Sequence, residues 1–324
     1  FSECIGNTPI IKLKVASEIS GCEIYGKCEF LNPGGSVKDR PALQIIKDAI
    51  KKKQIEKGGT IVEGTAGNTG IGLCLVGNSI GLNSIIVMPR TQSNEKKKML
   101  KLCGAELKLV DALPYKNPGN YIRYSETLAK SIVNEHGVLW ANQFDNLSNK
   151  KSHYLTTGPE IYKQLSQKVD AFICSIGTGG TISGVSDFLK EKNKNIVIGL
   201  ADPMGSAMHN FYKNGKLKST GSSITEGIGQ GRITRNLENA VIDESFQITD
   251  TEALNIVYEM VRKEGLILGG SSGVNIMGAV KLGKLIGPNK KIVTILCDYG
   301  TKYESKIFNK KFLKDKELPI PEWL

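Results

Sequence analysis

Short apolar runs rich in valine and isoleucine alternate along this chain with longer helical patterns. The apolar runs predict strands at 60–63, 84–88, 106–110, 171–174, 196–200 and 292–296. The apolar spacing between the runs predicts helices at 70–79, 93–103, 182–190 and 274–286. Strands and helices that alternate in this way form βαβ units, with mostly parallel sheets and helices on both faces. The predicted fold class is therefore α/β.

The predicted strands fall into two groups, one before residue 111 and one after residue 170. A chain of 324 residues is long enough for two α/β units. A polar stretch near residue 145 separates the two groups. We therefore predict an N-terminal domain of residues 1–145 and a C-terminal domain of residues 146–324, with residues 1–37 able to cross to the other domain.

The formal net charge of +11 is compatible with nucleic-acid binding. The lysines, however, occur in short runs at 51–53, 96–98 and 150–151 that suit solvated helix faces, and the few aromatic residues do not interleave with them. We therefore predict no nucleic-acid partner and a basic surface that favours anionic small molecules. No stretch approaches the roughly 20 apolar residues that span a membrane, so no membrane partner is predicted.

Seven scattered cysteines form no Cys-x-x-Cys pair and lie mostly in apolar sequence, which predicts buried free thiols in a reducing compartment. The three histidines lie far apart and do not match metal-ligand spacing, so no metal site is predicted. The first residues lack the charged and apolar regions of a signal peptide. The predicted location is the cytoplasm, and a removed organellar leader stays open because the chain begins without methionine.

One lysine, Lys38, follows the turn-forming sequence Asn-Pro-Gly-Gly at 32–35 and precedes Pro41 and an apolar-periodic stretch at 43–50. Glycine lets the backbone bend sharply, and proline fits the first turn of a helix. Lys38 is thus predicted at a helix N-terminus, where the helix dipole disfavours a positive charge. This placement suits a nucleophilic or Schiff-base lysine, and an ordinary solvated helix start is the alternative.

A second motif is the glycine-rich loop Gly-Thr-Gly-Gly-Thr at 177–181, between a predicted strand and a predicted helix. Free backbone N–H groups at a helix N-terminus bind phosphate, and threonine hydroxyls add donors. The loop is neither a Walker loop nor a dinucleotide fingerprint, because no Gly-Lys-Ser/Thr follows and Ile182 occupies the third glycine position. A phosphate group is the predicted ligand, and a structural glycine turn is the alternative.

The sequence Glu-Gly-Thr-Ala-Gly-Asn-Thr-Gly at 63–70 also separates a strand from a helix. Its hydroxyl, amide and backbone donors suit a carboxylate, and helix capping is the alternative. Glycines at 226–231 would let the backbone approach a flat ligand closely, and those at 269–273 lead into a predicted helix. A lysine, a phosphate loop and a carboxylate loop together describe a site for a phosphorylated aldehyde cofactor and an amino acid.

In this order, the motifs make the chain resemble the cysteine synthase (O-acetylserine sulfhydrylase) family of fold-type II pyridoxal-phosphate enzymes. The resemblance runs from Gly-Asn-Thr-Pro at 6–9 to the glycine stretch at 269–273. It includes Asn-Gln-Phe at 142–144 and Thr-Thr-Gly-Pro-Glu at 156–160. It implies two α/β domains of the tryptophan synthase β type, pyridoxal 5′-phosphate as the cofactor, and a homodimer.

The resemblance also implies which residues hold the cofactor. Lys38 would bind it as a Schiff base and then act as the catalytic base that removes the substrate Cα proton. Asn68 would donate to the ring 3′ oxygen, and Ser271 would meet the pyridine nitrogen. Because a serine hydroxyl cannot keep that nitrogen protonated, the ring would suit β-elimination through an aminoacrylate. The cofactor phosphate would bind to Gly177, Thr178, Gly179, Gly180 and Thr181.

The substrate site follows from the same resemblance, and the chain departs from the family pattern in three places. The family usually carries serine where this chain has Ala66, and a Ser-Ser-Gly run where it has Cys-Asp-Tyr-Gly at 297–300. The stretch at 114–121 is longer than the usual connection. All three departures bear on the choice of substrate. The residues implied to contact the amino acid are Thr65, Ala66, Gly67, Asn68, Thr69, Gln143 and Gly227.

The implied reaction replaces the acetate group of O-acetyl-L-serine by sulfide and yields L-cysteine. A cysteine desulfhydrase, which releases sulfide by β-elimination, is the nearest alternative, and cystathionine β-synthase is a more distant one. An alternative of another class is a catalytically degenerate binding or regulatory homologue. The expected partners are the amino-acid substrate, sulfide and serine acetyltransferase.

Overall fold

The computed structural model describes residues 1–324 and contains ten strands and twelve α-helices. The strands are β1 (Ile10–Lys12), β2 (Glu23–Cys28), β3 (Thr60–Gly64), β4 (Asn83–Pro89), β5 (Glu106–Val110), β6 (Val138–Trp140), β7 (Ala171–Cys174), β8 (Val197–Pro203), β9 (Glu244–Ile248) and β10 (Lys291–Leu296). The helices are α1 (Lys14–Ser20), α2 (Asp39–Lys51), α3 (Asn68–Asn78), α4 (Asn94–Leu102), α5 (Tyr121–Ser131), α6 (Ser148–Ser152), α7 (Gly158–Gln164), α8 (Gly180–Lys192), α9 (Met208–Asn214), α10 (Asp250–Glu259), α11 (Gly270–Ile286) and α12 (Lys310–Asp315).

The strands form two sheets. The larger sheet has the order β1-β2-β10-β7-β8-β9, and all of its neighbouring strands are parallel except the antiparallel pair β1 and β2. The smaller sheet has the order β5-β4-β3-β6 and is entirely parallel. The prediction of an α/β fold with mostly parallel sheets is therefore confirmed.

The predictable strands were those with a continuous apolar run or a regular alternation of apolar and polar residues. Those expected at 106–110 and 171–174 coincide with β5 and β7. The apolar patterns of the sequence did not predict β1, β2, β6 and β9. β1 and β6 have only three residues, β9 carries polar side chains, and β2 contains Lys27, so each of the four is too short or too polar to stand out in the sequence. Their pairing depends on contacts that are distant in sequence.

The two strands nearest the N-terminus belong to the larger sheet. β2 pairs with β10 in parallel, from Glu23 opposite Lys291 to Cys28 opposite Leu296. The smaller sheet draws its strands from residues 60–140. The chain thus leaves the larger sheet just before Lys38 and returns to it after the smaller sheet is complete. A domain boundary at residue 145 remains a prediction.

Apolar clusters pack on the sheets. The largest joins the larger sheet to α1, α10 and α11, and a second joins that sheet to α7 and α8. In the smaller sheet, one cluster contains side chains of α2 and α3, and another contains side chains of α3 and α4. None of the helices combines the length and the apolar sequence needed to cross a membrane. The buried free cysteines in these clusters are Cys22, Cys28, Cys74, Cys103 and Cys174.

A buried cluster of charges ties the start of α2 to the larger sheet. Arg40 donates to both carboxylate oxygens of Glu29 at 2.7 Å and to both carboxylate oxygens of Glu160, in the first turn of α7, at 2.7 Å. Lys27, fully buried in β2, donates to Glu160 at 2.6 Å. These two cations lower the pKa of Glu160 to about 2 in spite of its burial. Removing any one of these side chains would leave an uncompensated charge in the interior, which is strongly destabilising. The cluster therefore holds Arg40 in place, and with it the neighbouring Lys38.

Candidate active site

A cavity of about 560 Å³ lies beside the segments that follow β3, β7 and β10. The carboxyl ends of parallel strands are the usual place for ligands in α/β proteins. A smaller adjoining cavity shares six lining residues with it, among them Lys38, Gly177 and Thr178, and is also lined by Gly179 and Thr181. The predicted site residues that line the main cavity are Lys38, Thr65, Ala66, Gly67, Asn68, Thr69, Gln143, Gly177, Thr178, Gly227 and Ser271.

Gly180 is the one predicted residue that lines neither cavity. It begins α8, and a Cβ atom there would overlap the side-chain amide of Asn149. Its Cα therefore packs against Asn149, and glycine is needed there for close packing. Any contact of Gly180 with a ligand would have to come from its backbone N–H.

Lys38 immediately precedes α2 and is half-buried. The turn before it needs glycine, because Gly35 has a φ of +70°. The backbone N–H of Val37 donates to the carbonyl of Cys297 at 2.9 Å, which holds the turn against the end of β10. The ammonium group of Lys38 has no hydrogen-bond or ion-pair partner in the protein and lines both cavities. It is therefore free to meet a ligand.

The loop at 177–181 presents unused donors to the cavity. The backbone N–H groups of Gly177, Thr178, Gly179 and Thr181 donate to no atom of the protein, and they lie at the N-terminus of the 13-residue helix α8. Helix N-termini with free N–H groups bind anions. The donor set fits a phosphate group.

Two side chains that the sequence analysis did not select support this loop from behind. Asn149 donates to the Thr178 hydroxyl oxygen at 2.8 Å. His153 is buried, and its Nε2 lies 3.2 Å from the hydroxyl oxygen of Thr181. Burial, with Arg40 and Lys38 nearby, holds the pKa of His153 well below its ordinary value, so the imidazole is neutral. Nothing in the sequence around 149–153 distinguishes these residues from a polar helix surface.

The loop at 65–69 is organised by its own hydrogen bonds. The hydroxyl of Thr65 accepts from the backbone N–H of Gly67 at 3.0 Å, and Gly67 adopts a φ of +134° that disfavours any other residue. The hydroxyl of Thr69 donates to Gln143 Oε1 at 2.5 Å. Gln143 in turn donates to Glu63 Oε1 at 2.9 Å. The structure therefore joins two of the predicted carboxylate-binding side chains, Thr69 and Gln143, to each other.

Ser271 lies in the first turn of α11 and is 5% exposed. It lines the main cavity, whereas the hydroxyl of its neighbour Ser272 accepts from the backbone N–H of Cys297 at 2.9 Å. Cys297 lines both cavities beside Lys38, and burial raises the pKa of its thiol to about 11. The thiol is therefore protonated at neutral pH and is not a nucleophile of the site.

The interpretation of the lysine run 96–98 as a solvated helix face was wrong for its first member. Lys96 is 1% exposed and donates to Glu226 Oε2 at 2.7 Å. Lys306 also pairs with Glu226, and all three side chains line the cavity. The periodicity of α4 did carry a signal, since Lys96 and Leu100 lie one turn apart on the buried face. The identity of its partner is a long-range contact that no local pattern shows.

Residues 1–298 match the model of a family described as "Pyridoxal-phosphate dependent enzyme". The chain belongs to this family. It is 48% identical to "Cysteine synthase 1" of Neurospora crassa over 327 aligned residues, which cover 99% of this chain and 86% of that one. The resemblance stated from the motifs is thereby confirmed, and so is pyridoxal phosphate as the cofactor.

Two solved structures share the fold. An O-acetylserine-dependent cystathionine β-synthase from Helicobacter pylori superposes with a TM-score of 0.85 at 33% identity, covering 94% of this chain and 96% of that one. A hydrogen sulfide-producing enzyme from Fusobacterium nucleatum superposes with a TM-score of 0.84 at 36% identity, covering 93% and 98%. The fold of this pyridoxal-phosphate enzyme, with its two sheets, is thus shared with enzymes of known structure.

The buried carboxyl of Glu63 predicts a pH-dependent stability. Burial raises its pKa to about 8, from 4.5 for an exposed glutamate, and its Oε2 has no hydrogen-bond partner. The folded state therefore keeps a proton that the unfolded chain loses above pH 4.5. The stabilisation from this proton is complete below that pH and is lost as the pH rises through about 8.

We expect Glu63→Gln to flatten this dependence, because glutamine keeps the acceptor for Gln143 and cannot ionise. Melting temperatures measured from pH 5 to pH 8 should fall more in the unmodified enzyme than in the variant, by roughly 2–4 °C for each kcal/mol involved. Asp39, whose pKa burial raises to about 7, is present in both proteins and cancels in the difference. Parallel curves would show that Glu63 is ionised in the folded state.

Proposed function

We propose that this enzyme forms L-cysteine from O-acetyl-L-serine and sulfide, with release of acetate. One observation carries the proposal: a lysine without a partner, a loop of unused N–H donors and a second loop suited to a carboxylate line the same cavity. The 48% identity to a relative named cysteine synthase supports this choice among pyridoxal-phosphate reactions.

The donors of the cavity complement the parts of pyridoxal phosphate. The phosphate dianion would lie on the free N–H groups of Gly177, Thr178, Gly179 and Thr181, and Lys38 would bind the aldehyde carbon. Ser271 would meet the pyridine nitrogen with a neutral hydroxyl, and Asn68 would donate to the ring 3′ oxygen. When bound, the cofactor supplies an electron sink for negative charge that develops at the substrate Cα.

The chain's own residues handle the substrate. Thr65, Asn68, Thr69 and the backbone N–H groups of the loop would hold the α-carboxylate, which orients the Cα–H bond toward the amine of Lys38. The hydroxyl of Thr69, which donates to Gln143 Oε1, would turn to the carboxylate. Gln143 would join through Nε2, its only side-chain donor, which bonds to Glu63 and to the carbonyl of Gly64. The amine of Lys38 would then take the Cα proton, and acetate would leave from Cβ. Gly227, with a φ of +80°, allows backbone to border the ring closely.

The release of sulfide from cysteine is the second candidate, since one structural relative is described as a hydrogen sulfide-producing enzyme. The two reactions differ in the group that leaves Cβ, and acetate is a better leaving group than hydrosulfide. We therefore expect the value of kcat/KM for cysteine formation from O-acetylserine to exceed that for cysteine breakdown. Both rates are measured on one preparation, as cysteine formed and as pyruvate released. Faster pyruvate release would overturn the synthase proposal.

Ala66 offers a way to test the carboxylate loop. Ala66 is half-buried and lines the cavity, and the related enzymes usually have serine there. A hydroxyl at this position would add one hydrogen bond to a charged carboxylate, which contributes about 1.5–3 kcal/mol where nothing else compensates. We expect Ala66→Ser to lower the KM for O-acetylserine severalfold with little change in kcat. Ala66→Gly, which adds no donor, is the control, and an unchanged KM in Ala66→Ser would remove Ala66 from the carboxylate site.

Assembly and location extend the proposal beyond the single chain. We expect a homodimer, as in the enzymes that this chain resembles, and serine acetyltransferase as a partner. Light scattering on the purified enzyme, alone and with serine acetyltransferase, measures both. Seven free cysteines suit a reducing compartment, which supports the cytoplasm as its location.

A further inference from the structure

The segment at 297–300, where the chain departs from the synthase pattern, lies directly against the loop that carries Lys38. Ser36 and Asp298 form an isolated antiparallel β-bridge, next to the backbone hydrogen bond from Val37 to Cys297. Asp298 is fully buried although it carries a carboxylate. A charge is placed here only at a cost in desolvation, so its partners are informative.

Two charged side chains hold the amide of Asn68 from opposite ends. Asp298 Oδ2 accepts from Asn68 Nδ2 at 2.7 Å and from the hydroxyl of Tyr303 at 2.6 Å. Lys302 Nζ donates to Asn68 Oδ1 at 3.1 Å. The same ammonium donates to the carbonyls of Gly34 and Gly35 at 2.8 and 3.0 Å, in the turn that precedes Lys38.

These partners allow only one orientation of the amide. A carboxylate only accepts hydrogen bonds and an ammonium group only donates them, so Asn68 must turn its NH₂ toward Asp298 and its oxygen toward Lys302. A serine hydroxyl at position 298 could donate or accept and would permit both orientations. The NH₂ group has two N–H donors, and Asp298 uses one of them. Because Asn68 lines the cavity, the second donor remains for a ligand.

We propose that Asp298 and Lys302 are positioning residues that hold the Asn68 amide so that its remaining N–H donates to the bound cofactor ring. The inference rests on the proposed role of Asn68. The ammonium group of Lys302 on the amide oxygen also withdraws electron density from the amide, which strengthens the remaining N–H donor. The departure from the family pattern at Asp298 thus acts through the side chain of Asn68, together with Lys302 at the other end of the amide.

A double-mutant cycle on cofactor binding tests this. The full-length chain, freed of cofactor, is titrated with pyridoxal phosphate while the visible absorbance band is recorded. We expect Lys302→Met to raise the dissociation constant about tenfold and to shift the band. In the Asn68→Ala background, Lys302→Met should raise the dissociation constant less than about threefold, because the amide that Lys302 contacts is no longer present. Lys302→Arg, which keeps a donor and a charge, should restore most of the affinity.

The controls separate the possible failures. Lys310→Met removes an exposed lysine from α12 and should leave binding unchanged. If Lys302→Met does not fold, Asp298→Asn enters the same cycle and is expected to couple with Asn68→Ala. Asn68→Ala without any effect on affinity or band would overturn the proposed role of Asn68. An equal loss on Lys302→Met in both backgrounds would overturn only the inference and would show that Lys302 acts through the turn at 34–35.

Discussion

Replacing Lys38 with alanine is expected to lower kcat at least about 10³-fold and to remove the visible absorbance of the lysine-bound cofactor. Lys38 has no partner and lines both cavities, beside the donor loop. Lys316 also has no partner, but it is exposed and lines only the main cavity. Lys96 and Lys306 are paired with Glu226, and Lys302 is bound to Asn68 and two carbonyls. A paired ammonium would first have to lose its partners before it could bind an aldehyde. Activity and the absorption spectrum are measured on the same preparation.

Lys47→Ala is the matched control, because Lys47 is exposed on the same helix, α2. It should change neither kcat nor the spectrum. Retention of the absorbance and of the rate in Lys38→Ala would mean that another lysine holds the cofactor. Loss of the rate with the absorbance retained would leave Lys38 as a base only.

Gly177→Ala is expected to weaken binding of pyridoxal phosphate at least about a hundredfold. A Cβ atom at this position would overlap the backbone carbonyl oxygen of Gly227, and backbone cannot move away as a flexible side chain would. The loop at 177–181 would have to shift and would lose two or more of its bonds to the phosphate, each worth about 1.5–3 kcal/mol to a charged group. Titration of the cofactor-free chain with pyridoxal phosphate measures the loss.

The neighbouring loop supplies the control for this substitution. Gly231 has no atom within 4 Å of its added Cβ and no positive φ, so Gly231→Ala should bind the cofactor normally. Normal affinity in Gly177→Ala would show that the phosphate does not lie on this loop. Equal losses in both variants would point to helix or loop stability as the cause.

The sequence allowed prediction of the parts of the site that local chemistry determines. Glycine loops between a strand and a helix fall at the carboxyl edge of a parallel sheet, so the loops at 65–69 and 177–181 were expected to face a common ligand. The structure brings both to one cavity with Lys38 and Ser271. The apolar alternation of β5 and the continuous apolar run of β7 were located from equally local patterns.

What the sequence did not show depends on contacts between distant residues. The sequence presents Lys96 as one of three lysines on a solvated helix face. Its ion-pair partner, Glu226, lies 130 residues away in sequence, so only the structure shows the contact. The role of Asp298 and Lys302 depends on their contacts with Asn68, which lies more than 200 positions earlier in the sequence. The periodicity of the sequence likewise does not show that β2 pairs with β10, because strand pairing depends on tertiary contacts.

The identity of the lysine that carries the cofactor tests the account most directly. The cofactor-loaded enzyme is reduced with borohydride, digested and analysed by mass spectrometry, which finds the peptide that retains the cofactor. The account predicts a single modified residue, Lys38, in the segment between the turn at 34–35 and α2. A modification at Lys96, Lys302 or Lys306 instead, with Lys38 unmodified, would contradict it.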